Sequence, residues 1–93
     1  MKNGKEYTIK FSKQAEKDKI KLKSSGLEKN CKNILMLMGK DPFCYPPPYE
    51  KLIGDLSGLY SRRINRQHCI VYEINEETNE IHILRMWTHY DKM

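Results

Sequence analysis

The chain has 93 residues, 31% of them charged and 39% hydrophobic, with a net charge of +5. That length predicts one domain, 1–93, with a modest core, and that balance fits a globular protein better than a disordered one. No run of about 18 apolar residues could cross a bilayer, and Met1-Lys2-Asn3-Gly4-Lys5 leads into no apolar stretch, so neither signal peptide nor membrane is expected and the protein is placed in the cytoplasm.

Residues 5–11 alternate Tyr7, Ile9 and Phe11 with Glu6, Thr8 and Lys10, which predicts a half-buried strand. Ser12 is a cap for a helix reaching about Ser24. Its apolar pattern is weak: Ala15, Lys19 and Leu22 share one face, Ile20 lies to the side, and lysines fill the rest. Gly26 separates it from a second helix, 27–39, in which Leu27, Cys31, Ile34, Leu35 and Met38 form a core stripe and Gly39 is a C-cap. Cys31 reads as a small core residue.

Residues 41–49, DPFCYPPPY, hold all four prolines and predict a stiff, extended connector that fixes where Glu50 points. Beyond it the chain reads as strands. Ser57-Gly58 marks a turn or bulge. Strand 59–66 alternates Leu59, Ser61 and Arg63 with Tyr60, Arg62 and Ile64. Strand 68–75 alternates Cys69, Val71 and Glu73 with Ile70, Tyr72 and Ile74. After a hairpin turn at 76–79, strand 80–87 sets Ile81, Ile83 and Arg85 against His82, Leu84 and Met86, with Glu80 and His82 on the outer face of an edge strand. The order β-α-α-β-β-β predicts an α+β domain: a curved, mainly antiparallel sheet with two N-terminal helices on one face.

Charge and cysteines narrow the chemistry. Residues 1–40 carry eleven lysines against four acidic residues, while residues 41–93 hold all four arginines and eight acidic residues. A diffuse lysine surface with arginines reserved for particular positions suits a nucleic-acid partner; lysines that only keep the protein soluble fit the same count. The cysteines, Cys31, Cys44 and Cys69, form no C-x-x-C pair, and His68, His82 and His89 lack ligand spacing, so no metal or cofactor is expected.

Three polar positions fit the strand pattern poorly: Glu50 after the prolines, Arg63 among apolar neighbours, and His89-Tyr90 after the last strand. One carboxylate, a guanidinium and an imidazole on one face would suffice to cut RNA. Read one at a time, the same residues also fit a solvated glutamate, a partner-binding arginine pair and a surface histidine.

The run EKLIGDLSGLYSRRINRQHCIVYEI, residues 50–74, followed by a strand and the terminal His-Tyr, resembles the YoeB/Txe toxins of the RelE/ParE superfamily, most strongly over residues 49–74, with Leu56–Ile64 as the core specific to that family. The resemblance implies a ribosome-dependent mRNA interferase that cleaves mRNA in the A site and is neutralised by a YefM/Phd-type antitoxin, the complex binding operator DNA. It implies Glu50 as general base, Arg63 as phosphate-binding arginine, His89 as general acid and Tyr90 beside it. Arg62, Arg66 and Lys51 would contact nucleic acid, Arg62 having a structural role as its other reading. Cys69 stands where the family usually has a transition-state arginine, which implies an attenuated or inactive enzyme. A non-catalytic co-repressor bound to its antitoxin, and a ParE-like gyrase inhibitor, share the fold and are the competing expectations.

Overall fold

Ser12 ends the first strand and starts the first helix with one hydroxyl. Its Oγ accepts from the Ala15 amide at 3.0 Å and donates to the Leu84 carbonyl at 2.9 Å, so the helix cap is also a tie to the last strand. The structure, a computed structural model, describes residues 6–87. In order they form β1 (Thr8–Phe11), α1 (Lys13–Ser24), α2 (Glu28–Lys40), β2 (Tyr49–Lys51), a 3-10 turn (Gly54–Leu56), β3 (Tyr60–Arg63), β4 (Cys69–Asn75) and β5 (Glu80–Arg85).

The five strands form one sheet in the order β1-β5-β4-β3-β2. β1 runs parallel to β5, and the other pairs are antiparallel. Register decides which residues share a face, because opposite partners point the same way. Tyr60 opposes Tyr72, Tyr72 opposes Ile83, Ile74 opposes Ile81, and Ile81 and Ile83 oppose Ile9 and Phe11. This apolar face meets Ala15 and Leu22 of α1 and Cys31 and Met38 of α2 in a single buried cluster. Burial holds the Cys31 thiol neutral, with its pKa raised to about 11. The α+β architecture, with both helices on one face of a mainly antiparallel sheet, is as expected.

Several details differ from the expectation. The proline connector is not extended: residues 42–47 turn and bend, and Tyr49–Lys51 pairs with β3 as an additional strand. Gly39 lies inside α2, and Asp41 is the C-cap. β5 is an interior strand, so Glu80 and His82 are not on an edge. Met86 joins Ile81 and Ile83 in the core, because the register shifts between Val71 and Tyr72 and leaves Leu84 without a partner in β4. The extra residue reverses the alternation that placed Met86 on the other side.

Candidate active site

The sheet face turned away from the helices carries the polar residues. Glu50 on β2 opposes Ser61 on β3, Ser61 opposes Val71 on β4, and Arg63 opposes Cys69. Glu50, Ser61, Arg63 and Cys69 therefore share one face across three strands. Opposite partners sit about 5 Å apart at Cβ and diagonal ones about 7–8 Å, and Glu50 and Arg63 are diagonal neighbours on β2 and β3. Together with Pro47, Pro48 and Tyr49 these four residues line a groove of about 230 Å³. Glu50 and Arg63 are exposed, whereas Ser61 and Cys69 are buried in its floor. The Arg63 Nη1 donates to the Arg66 carbonyl at 2.9 Å, which ties the guanidinium to the β3–β4 turn.

Arg62, one residue away, points the other way and is only 1% exposed. Its Nε donates to the Tyr72 hydroxyl at 3.0 Å, its Nη2 to the carbonyls of Pro42 and Cys44 at 2.8 and 3.0 Å, and its Nη1 to the Pro47 carbonyl. Its guanidinium also lies 4.8 Å from the Tyr49 ring centroid. The expectation that Arg62 contacts nucleic acid is thus corrected to its structural reading. Proline-rich backbone offers carbonyls without matching N–H groups, and one fork of five donors satisfies three of them. In doing so Arg62 holds the connector that delivers Glu50 to the groove. Burial raises the Tyr72 hydroxyl to a pKa of about 12, an effect the Arg62 charge and hydrogen bond oppose.

Arg66 and Lys51 are both exposed; Arg66 lies on the β3–β4 turn beside the groove, whereas Lys51 opposes Tyr60 and so points to the other face of the sheet, away from Glu50. His89 and Tyr90 lie outside the described residues. Among the described residues near them in sequence, His68 stacks on Trp87, with ring centroids 4.0 Å apart, and its Nδ1 bonds the Trp87 carbonyl. Beyond the groove, the same face carries Glu80, which meets His82 Nε2 at 2.9 Å and Lys10 Nζ at 3.1 Å; the His82 hydrogen bond, then the one from Lys10, holds its carboxyl below the usual range. No group of three His, Cys, Asp or Glu among the described residues could hold a metal ion, and none of the described helices is long and apolar enough to cross a membrane.

Reasoning from the sequence missed Asp18, fully buried on α1. Its Oδ2 accepts from the Met86 amide at 2.9 Å and from Arg85 Nε at 3.3 Å, and its Oδ1 from Gln14 Nε2 at 3.0 Å. The local signal was its i+3 spacing from Ala15, which puts both on the buried face. Ser61 was not singled out either, although the strand alternation already put it on the same face as Arg63.

A family model described as the YoeB-like toxin of bacterial type II toxin–antitoxin systems matches residues 11–90. Toxin YoeB of Mycobacterium bovis is 37% identical over 65 residues, covering 67% of this chain and 74% of that protein. The toxin in the YoeB–YefM complex from Staphylococcus aureus superposes with a TM-score of 0.76 at 31% identity, over 90% of this chain and 98% of that one. The YoeB/ParE toxin from Agrobacterium tumefaciens reaches a TM-score of 0.81 at 20% identity, over 89% and 99%, a likeness of fold.

Proposed function

The chain belongs to the YoeB-like toxins of bacterial type II toxin–antitoxin systems, and on that footing we propose that it is an endoribonuclease that cleaves mRNA in the ribosomal A site. The observation that carries this reading is that Glu50 and Arg63, diagonal neighbours on β2 and β3, line one groove. The Glu50 carboxylate takes the proton of a ribose 2′-hydroxyl. The freed oxygen attacks the adjacent phosphorus, and Arg63 stabilises the charge that builds on the phosphoryl oxygens. The P–O5′ bond breaks as His89 gives its proton to the leaving oxygen, yielding a 2′,3′-cyclic phosphate and a 5′-hydroxyl. Tyr90 orients the phosphate or stacks on a base.

Arg66 contacts the flanking backbone, and the lysine-rich helices add salt-sensitive affinity for ribosomal RNA. A YefM-type antitoxin is the cytoplasmic partner, supported by the S. aureus toxin's complex with YefM, and the pair binds operator DNA.

Cys69 favours a second reading. Its side chain cannot offer two parallel N–H donors, and it lies in register with Arg63 where a second guanidinium would complete a clamp. A toxin disabled there would still bind its antitoxin and act as a co-repressor. Mapping mRNA ends on a ribosome stalled at a defined codon separates the two. Cuts within the A-site codon, absent without ribosomes, support the nuclease; intact mRNA with retained antitoxin binding supports the co-repressor.

A further inference from the structure

Ser61 has no part in the chemistry above, yet it lies in the floor of the groove and is only 5% exposed. Buried polar side chains normally have hydrogen-bond partners. Asp18 has the Met86 amide, and Arg62 has the Tyr72 hydroxyl. The Ser61 Oγ bonds no group among the described residues. Val71, opposite it on β4, is apolar, and Glu50, opposite it on β2, makes no bond to it. A buried hydroxyl without a partner costs stability, and alanine would occupy the same place without that cost. Packing therefore does not account for a serine here, but its place in the groove does. Ser61 stands across from Glu50, about 5 Å away at Cβ. It is two residues before Arg63 on the same face of β3, about 7 Å along the strand. It thus occupies the corner between the proposed base and the phosphate-binding arginine.

We propose that Ser61 is a further catalytic residue of the groove: its buried hydroxyl donates a hydrogen bond to a non-bridging oxygen of the scissile phosphodiester, beside Arg63. The proposal rests on the reading of the groove as a nuclease site. An ionised carboxylate only accepts hydrogen bonds, whereas a hydroxyl can donate one to phosphate. The Oγ keeps its proton throughout, and no bond to Ser61 forms or breaks. The hydrogen bond strengthens as negative charge builds on the phosphoryl oxygens. Its loss should therefore slow the chemical step and leave ribosome binding alone.

The test measures single-turnover cleavage on a programmed ribosome for the protein, Ser61→Ala, Ser61→Thr and Glu50→Gln. Ribosome affinity and urea midpoints are measured in parallel. The series moves into a Cys69→Arg background if the unmodified chain cuts too slowly to time. Threonine keeps the hydroxyl and suits a strand. The expected result is a rate about 10–100-fold lower for Ser61→Ala, with affinity within about twofold and partial rescue by Ser61→Thr. The urea midpoint of Ser61→Ala should stay level or rise, because no protein group loses a partner. An mRNA with sulfur in place of one non-bridging oxygen at the scissile linkage gives a second readout. Sulfur is a weak acceptor, so one of the two diastereomers should lose less rate to the sulfur in Ser61→Ala than in the protein. Full-rate cleavage by Ser61→Ala with a slow Glu50→Gln overturns this inference and leaves the nuclease reading standing. A slow Ser61→Ala with a lowered urea midpoint and unchanged sulfur effects assigns the hydroxyl to the fold and overturns it as well. Full-rate cleavage by Glu50→Gln, or no cleavage even with Cys69→Arg, removes the nuclease reading and this inference together.

Discussion

Arg62 and Arg63 are identical side chains, adjacent in one strand, with opposite fates. Strand alternation alone sends one into the fold and the other into the groove. Truncation of Arg62 orphans carbonyls of Pro42, Cys44 and Pro47 and the Tyr72 hydroxyl. Arg62→Ala should therefore cost about 3–5 kcal/mol in urea unfolding, whereas Arg63→Ala should stay within about 0.5 kcal/mol. Lysine cannot replace Arg62, since one ammonium cannot span acceptors on several sides. Tyr72 gives a pH signature. Its folded pKa of about 12 lies above the unfolded value near 10, so its contribution is complete below about pH 10 and is lost as pH rises towards 12. Urea midpoints between pH 8 and 11 should fall more steeply for the protein than for Tyr72→Phe. At Cys69 the expected trade runs the other way. Cys69→Arg places a like charge opposite Arg63 and should destabilise the free protein by up to about 1 kcal/mol. The same change should raise the cleavage rate by roughly 10²–10³-fold if a second phosphate donor is what the groove lacks.

At the scale of elements, α1 is attached by polar contacts as well as apolar ones. Ser12 and Asp18 both bond the end of β5, to the Leu84 carbonyl and the Met86 amide. Asp18→Ala removes the acceptor for a buried amide and for Arg85, so a loss of about 2–4 kcal/mol is expected, read as a lowered urea midpoint. This also explains why α1 was hard to read from sequence. Its buried face includes a carboxylate that, besides Gln14, binds partners 67 and 68 residues away, beyond any local periodicity. In α2, by contrast, apolar residues do the burying, and the stripe from Leu27 to Met38 could be read directly. β2 was hidden for a related reason. Prolines argue against a strand, and only the Arg62 fork, invisible to local pattern, turns the connector so that Tyr49–Lys51 pairs with β3. At Leu84 a single inserted residue defeated an alternation rule that held for β4.

At the scale of the whole molecule, the sheet divides the chain into a packed face and an open, polar one. Helices cover the face with Tyr72, Ile81 and Ile83; the other face carries Glu50 and Arg63. The sequence could name Glu50, Arg63 and Cys69 by family resemblance and could place Arg63 and Cys69 in strands. It could not bring Glu50 beside them, because that depends on the β2–β3 register, nor tell which of two arginines faces the groove with certainty while Arg62 also fitted a nucleic-acid contact. The most direct test of the central claim, that this groove cleaves RNA, is the single-turnover rate of mRNA cleavage on a programmed ribosome for the protein and for Glu50→Gln. The account predicts A-site cleavage by the protein and a rate roughly 10²–10⁴-fold lower for Glu50→Gln with an unchanged melting temperature, since Glu50 is exposed. Equal rates for the two would contradict it.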